Sequence, residues 1–146
     1  CRLALETAAG GKRTALVCSG DAGVYGMAGI TLELAVEFPE VDVHVIPGVT
    51  AALSGAALLG APLGHDFTVI SLSDLLTPWE LIERRLAAAA EGDFAICLYN
   101  PSSHKRHDYL QKACQILFTE KIWRYNLWNH AEYRARWRRK TNSDIG

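Results

Sequence analysis

The sequence predicts an α/β fold built as two small α/β domains with mainly parallel strands and a binding edge at the strands' carboxyl ends. Three observations carry that prediction. Short apolar runs alternate with helical patterns from the amino terminus to residue 117. Three of the runs, ending at Cys18, Ile46 and Tyr99, break into Gly- or Pro-containing turns. Such turns at the carboxyl ends of parallel strands form the binding edge of an open sheet. Finally, 49% apolar and 21% charged residues describe a globular chain.

Leu3, Leu5, Ala8 and Ala9 suggest the end of a helix, stopped by Gly10-Gly11. Arg13 to Cys18 reads as a first strand, and a helix is expected from about Val24 to Glu37, ended by Pro39. Val41 to Ile46 reads as a second strand. Pro47-Gly48-Val49-Thr50 turns into a helix of small and apolar residues, with Thr50 as its N-cap. That composition predicts a helix buried on every side. Residues 1–62 make the first domain and 63–66 a linker.

Phe67 to Leu72 reads as a third strand. Thr77-Pro78-Trp79-Glu80 has the form of a capping box with proline at the first helical position. The helix behind it lines up Trp79, Ile82, Leu86 and Ala89 and stops at Gly92. Phe94 to Tyr99 is the fourth strand, cut by Asn100-Pro101. A helix from about Ser103 to Leu117 then places Leu110, Ala113, Cys114 and Leu117 on one side. The start of a second domain therefore occupies 67–117, and 118–146 form an aromatic and basic tail.

Net charge is −1, which singles out neither nucleic acid nor an acidic membrane. It is unevenly spread, with 8 Lys/Arg against 13 Asp/Glu in 1–117 and 7 against 3 in 118–146. Cys1, Cys18, Cys97 and Cys114 lack CxxC spacing and read as reduced thiols of a cytoplasmic protein. No run of 18 apolar residues and no signal-peptide pattern occurs. The chain opens at Cys1 and its only methionine is Met27, so it reads as part of a longer chain.

The stretch LVCSGDAGVYG, Leu16 to Gly26, is the strongest local signal. A strand entering a helix through glycines brings backbone N–H groups to one small surface, which suits a polar cofactor. A plain tight connection is the alternative. Asp21 is either an acceptor for a ligand hydroxyl or ammonium, or a cap for the next helix. Tyr25 either packs on a ligand or fills core.

Three segments, SGDAGVYG, VIPGVTAALSGAALLGAPLGHDFTVISLSD and LYNPSSHKR, together resemble the tetrapyrrole methylases over about residues 2–117. The branch most similar methylates C17 of precorrin-3B and contracts the ring to precorrin-4 in cobalamin biosynthesis, or acts on a cobalt-containing analogue. The resemblance implies S-adenosylmethionine bound between two α/β domains, a tetrapyrrole substrate and a cytoplasmic homodimer. It carries cofactor contacts to Ser19, Gly20, Asp21, Val24 and Tyr25, to Thr50 and Ala51, and to Asn100. The family's opening GxGPG-like loop has no match here, so truncation at both ends is expected. A different acceptor within the family, or a fragment without catalytic activity, are the rival readings.

Methyl transfer from a sulfonium requires alignment and exclusion of water more than acid–base groups, so no catalytic residue is singled out. His65, Asp66, Ser71 and Asp74 are polar groups near the expected cleft, or linker and turn formers. His104 and His107 have metal-pair spacing but lack further ligands at matching positions, and no metal is assigned. Lys105, Arg106 and His107 could face substrate carboxylates or simply solvent. The tail holds three of the four tryptophans with Arg134, Arg136, Arg138, Arg139 and Lys140. Nucleic acid, a partner surface or a non-functional extension are its alternatives.

Overall fold

The computed structural model describes residues 1–102 and 107–119. The element order is α1 (Arg2–Ala9), α2 (Ala28–Ala35), α3 (Ala51–Leu59), β1 (Phe67–Ser71), α4 (Trp79–Glu91), β2 (Ala95–Tyr99) and α5 (Tyr109–Thr119). Two compact units divide between Ser54 and Gly55, inside α3.

In the first unit α1 packs on α2, and Leu5 and Thr31 are buried. Arg2 donates to both carboxylate oxygens of Glu37 at 3.0 and 2.8 Å. That fork holds the Glu37 carboxyl below its ordinary pKa and raises Arg2. Both groups are half exposed, so water screens the pair and its contribution to stability is small.

The expected strands at 13–18 and 41–46 are a correction. Both segments run without helix, turn or bend, yet neither joins a ladder. A strand is defined by its hydrogen-bonded neighbour, and none of the described residues supplies one to either segment. The helix expected over 24–37 is also shorter, because residues 22–27 are spent on the turn. α3 forms where expected, but only Gly55 of it is buried. Small apolar residues permit close packing; they do not supply the surface that covers them.

The second unit is a parallel β–α–β arrangement. Phe67 pairs with Ala95 and the register runs to Ser71 with Tyr99. Two further backbone bonds lengthen the pairing, from Ala95 N–H to the Asp66 carbonyl at 3.1 Å and from Leu72 N–H to the Tyr99 carbonyl at 2.9 Å. Asp66 thus has a structural place beside the sheet. Ile70, Leu72, Ile82, Leu86, Ala89, Ala113 and Leu117 form the core, with Trp79 and Tyr109 packed at its edge. The apolar spacing read along α4 matches the side it buries. Along α5, Ala113 and Leu117 are buried while Leu110 is 40% exposed.

The capping box at Thr77 does not form. α4 begins at Trp79, with Pro78 as an N-cap that offers no side-chain bond. Proline at φ −56° and ψ 143° is already outside the helix, and this moves the start one residue along. Glu80 remains in the first turn, where its charge complements the helix dipole.

All four cysteines are free thiols, and burial raises the pKa of Cys97 and Cys114. No helix among the described residues is long and apolar enough to cross a membrane. His104, Lys105, Arg106 and the tail from 120 onwards lie outside the described residues.

Candidate functional site: two turns tied by Asp21

Ser19 and Gly20 open the first turn, and Gly20 sits at φ +76°, a left-handed conformation that disfavours any side chain. The peptide turns there because the next residue is anchored at both carboxylate oxygens. Asp21 Oδ1 accepts the Gly23 N–H at 2.8 Å and Oδ2 accepts the Gly48 N–H at 2.8 Å. The first bond closes a local turn of the kind aspartate favours. The second reaches 27 residues along the chain and ties the turn after Cys18 to the turn after Ile46.

Contact at Gly48 is close enough to exclude a side chain. A Cβ there would run into the Gly20 carbonyl. From the other side, the position of a Gly20 Cβ lies 3.6 Å from the Thr50 Cα and 3.6 Å from the Val49 carbonyl. The turns after Cys18 and Ile46 therefore meet, backbone against backbone, with Thr50 buried behind them and Ala51 exposed at the start of α3.

Both N–H donors favour the charged carboxylate and lower the Asp21 pKa, the Gly48 bond being the larger cause. The sign follows directly. A carboxyl depressed in the folded state stabilises the tied turns at pH above its unfolded value, about 3.9. The contribution is lost as pH falls through the lower folded value. The Gly48 amide proton should accordingly show an NMR titration midpoint below 3.9. A midpoint at or above that value would contradict the tie.

Tyr25 is not core: it is 54% exposed and holds φ +52°. A bulky residue in the left-handed region costs on the order of 1–3 kcal/mol and is found chiefly where surrounding structure demands it. Val24 beside it is half-buried, and its N–H donates to the Asp21 carbonyl at 3.4 Å.

Asn100 belongs to the second unit, just past the end of β2. It too is left-handed, at φ +51°, a conformation asparagine tolerates well. Its Nδ2 donates to Ser71 Oγ at 2.9 Å, joining the carboxyl ends of the two paired strands. Ser71 Oγ also accepts the Ser73 N–H at 3.2 Å, which begins the departure of the chain from β1. Tyr109 donates its hydroxyl to Asp74 Oδ2 at 2.7 Å, and this bond raises the Tyr109 pKa. Exposed Asn100 is thus set by a serine one strand away.

The profile of the family described as Tetrapyrrole (Corrin/Porphyrin) Methylases matches residues 1–126. The chain belongs to the tetrapyrrole methylase family. The match passes residue 117, where the motif resemblance stops. A Salmonella typhimurium protein named "Probable cobalt-factor III C(17)-methyltransferase" is 54% identical over 122 residues, 83% of this chain and 51% of that protein. A Sinorhizobium precorrin-3B C(17)-methyltransferase is 48% identical over 120 residues, covering 80% and 47%. The crystal structure of the methyltransferase CobJ superposes with a TM-score of 0.77 at 46% identity, covering 82% of this chain and 52% of that one. The tetrapyrrole methylase fold follows. The chain spans about half the length of the curated relatives it matches.

Within this tetrapyrrole methylase chain, two residues matter that motif reading passed over. Gly48 appears in sequence only as half of a Pro-Gly turn, and Ser71 as a polar group near the expected cleft or a turn former, without its partner Asn100. The signal for Gly48 was a carboxylate early in one glycine turn facing a bare N–H in the next. Ser71 had no local signal, because its partner is 29 residues away and reaches it only through strand pairing.

Proposed function

We propose that this chain carries cofactor-binding turns of an S-adenosylmethionine-dependent methyltransferase of cobalamin biosynthesis. The substrate class is a precorrin or cobalt-precorrin ring methylated at C17 with ring contraction, precorrin-3B to precorrin-4 in the metal-free case. The observation that carries it is the Asp21 bridge between two glycine turns in a chain about half identical to C17-methyltransferases. The working protein is proposed to be a cytoplasmic homodimer. The domain reading keeps 1–62 and 67–117 as pieces of two α/β domains.

The residues suit such a cofactor on chemical grounds. Ser19 and Gly20 are exposed, as is the Tyr25 ring, and Ala51 is exposed at the start of a nine-residue helix. Hydroxyls, backbone amides and an aromatic face match a nucleoside with an amino-acid arm. In this proposal Ser19, Gly20, Val24, Tyr25, Thr50, Ala51 and Asn100 are the cofactor contacts. Asp21, whose two oxygens each already accept an N–H, contributes by holding both turns in place. Bound S-adenosylmethionine supplies an activated methyl group. The chain's own task is to orient it and keep water out.

Isothermal titration with S-adenosylhomocysteine tests the reading. Micromolar binding, roughly −8 kcal/mol, is expected, with at least a tenfold loss in Asp21→Ala. Absence of heat at millimolar ligand favours the fragment without catalytic activity. If the ligand binds, turnover of precorrin-3B with the methyl donor separates C17 methylation from a different acceptor.

A further inference from the structure

Asn100 holds a backbone shape that its neighbour makes unusual. A residue before proline is steered toward extended backbone, yet Asn100, followed by Pro101, sits at φ +51°. Such outliers persist where the surrounding structure fixes them, and they gather at ligand-binding positions. The side chain is fixed by Ser71. Ser71 lies opposite Tyr99 in the parallel register, and the Leu72 N–H donates to the Tyr99 carbonyl at 2.9 Å. Ser71 Oγ then accepts from Asn100 Nδ2 at 2.9 Å and from the Ser73 N–H at 3.2 Å. Ending β1 requires only the Ser73 bond. The bond to Asn100 is additional and spans 29 residues. Asn100 Oδ1 accepts no hydrogen bond among the described residues.

We infer that Ser71 is a positioning residue of the cofactor site, orienting the Asn100 amide so that Oδ1 receives a hydrogen bond from a donor of the nucleoside. The inference rests on the cofactor reading above. A primary amide offers donors at one end and an acceptor at the other, and an unanchored one turns end for end to suit either partner. Held at Nδ2 by the serine, Asn100 keeps its rotation, and the acceptor Oδ1 is the end left for a ligand. A nucleoside carries two kinds of matching donor, the exocyclic amine of adenine and the ribose hydroxyls. A site built to read a donor rejects an analogue that lacks it, because the covered acceptor is then left unpaired. Ser71 itself is half-buried at the strand end and acts through Asn100, which is exposed.

Calorimetry on the whole chain tests this with S-adenosylhomocysteine and its purine-riboside, 2′,3′-dideoxy and 1-deaza forms. The first form lacks the amine, the second the ribose hydroxyls and the third a ring acceptor. Ser71→Ala should weaken S-adenosylhomocysteine at least about tenfold, the worth of one good hydrogen bond. Ser71→Thr, which keeps a hydroxyl at a strand position, should bind within about threefold of the wild type. The Ser71→Ala loss should disappear with the purine-riboside form where the amine is read, or with the dideoxy form where a hydroxyl is. It should also disappear in Asn100→Gly, which relieves the left-handed backbone and removes the amide. An equal loss for every ligand is the mark of a merely structural serine and overturns the proposal. A loss that disappears only with the 1-deaza form overturns it too, since Asn100 would then be donating. In the free chain the Asn100 side-chain amide protons should exchange at least about fivefold more slowly than in Ser71→Ala, and equal rates refute the anchor. No binding by the wild-type chain defeats the cofactor reading and this inference with it. Wild-type binding that Ser71→Ala leaves within about threefold defeats this inference alone.

Discussion

Gly48→Ala is expected to abolish binding of S-adenosylhomocysteine and to separate the two turns of the first unit. The added methyl group meets the Gly20 carbonyl, a backbone atom that cannot swing aside as a side-chain tip would. Relief requires moving one turn away from the other. That movement stretches the Gly48 N–H to Asp21 bond, which is the long-range tie between them. Asp21 then loses the largest of its pKa-lowering donors, so its titration should move back toward the ordinary value. Calorimetry should show at least a hundredfold weaker binding, or about 2.7 kcal/mol. Gly23→Ala, whose Cβ meets no backbone and only Asp21 Oδ1 at 3.2 Å, is the milder comparison and should lose less. Equal losses in the two variants would remove the close contact as the cause.

Leu86→Ala should cost about 2–5 kcal/mol and remove a large share of the second unit's stability. Leu86 is fully buried among Ile70, Leu72, Ile82, Ala113 and Leu117. Its core rests on two strands and two helices, so few neighbours can collapse into the space left behind. Stabilities of small domains are themselves only about 5–15 kcal/mol. Hydrogen exchange of the β1–β2 amides gives a direct reading, since their parallel register depends on α4 lying over them. Exchange should quicken by at least about thirtyfold in β2 while α1, in the other unit, is unaffected. Leu110→Ala, at a 40% exposed position, should change little by comparison.

Much of the second unit was legible because its signals are local and mutually consistent. Apolar residues at helical spacing in 79–89 matched the face buried on the sheet, and Asn-Pro ended the strand before it. In the first unit the same reading found the glycine turns but overstated the strands. Arg13 to Cys18 and Val41 to Ile46 have the composition of strands, yet composition cannot provide the neighbouring backbone that a ladder needs. The capping box at Thr77 failed for a related reason. Proline's preferred geometry allowed two start positions, and packing of Trp79 onto Tyr109, with ring centroids 4.4 Å apart, accompanies the later one.

By itself the sequence determined the α/β class, the order of turns and helices, and the residue types at each bend, because these depend on neighbours along the chain. Tertiary structure alone decided that Asp21 bridges to Gly48 and that Ser71 sets Asn100. Those pairings span 27 and 29 residues, and hydrogen bonds of that reach exist only after the backbone has closed the distance.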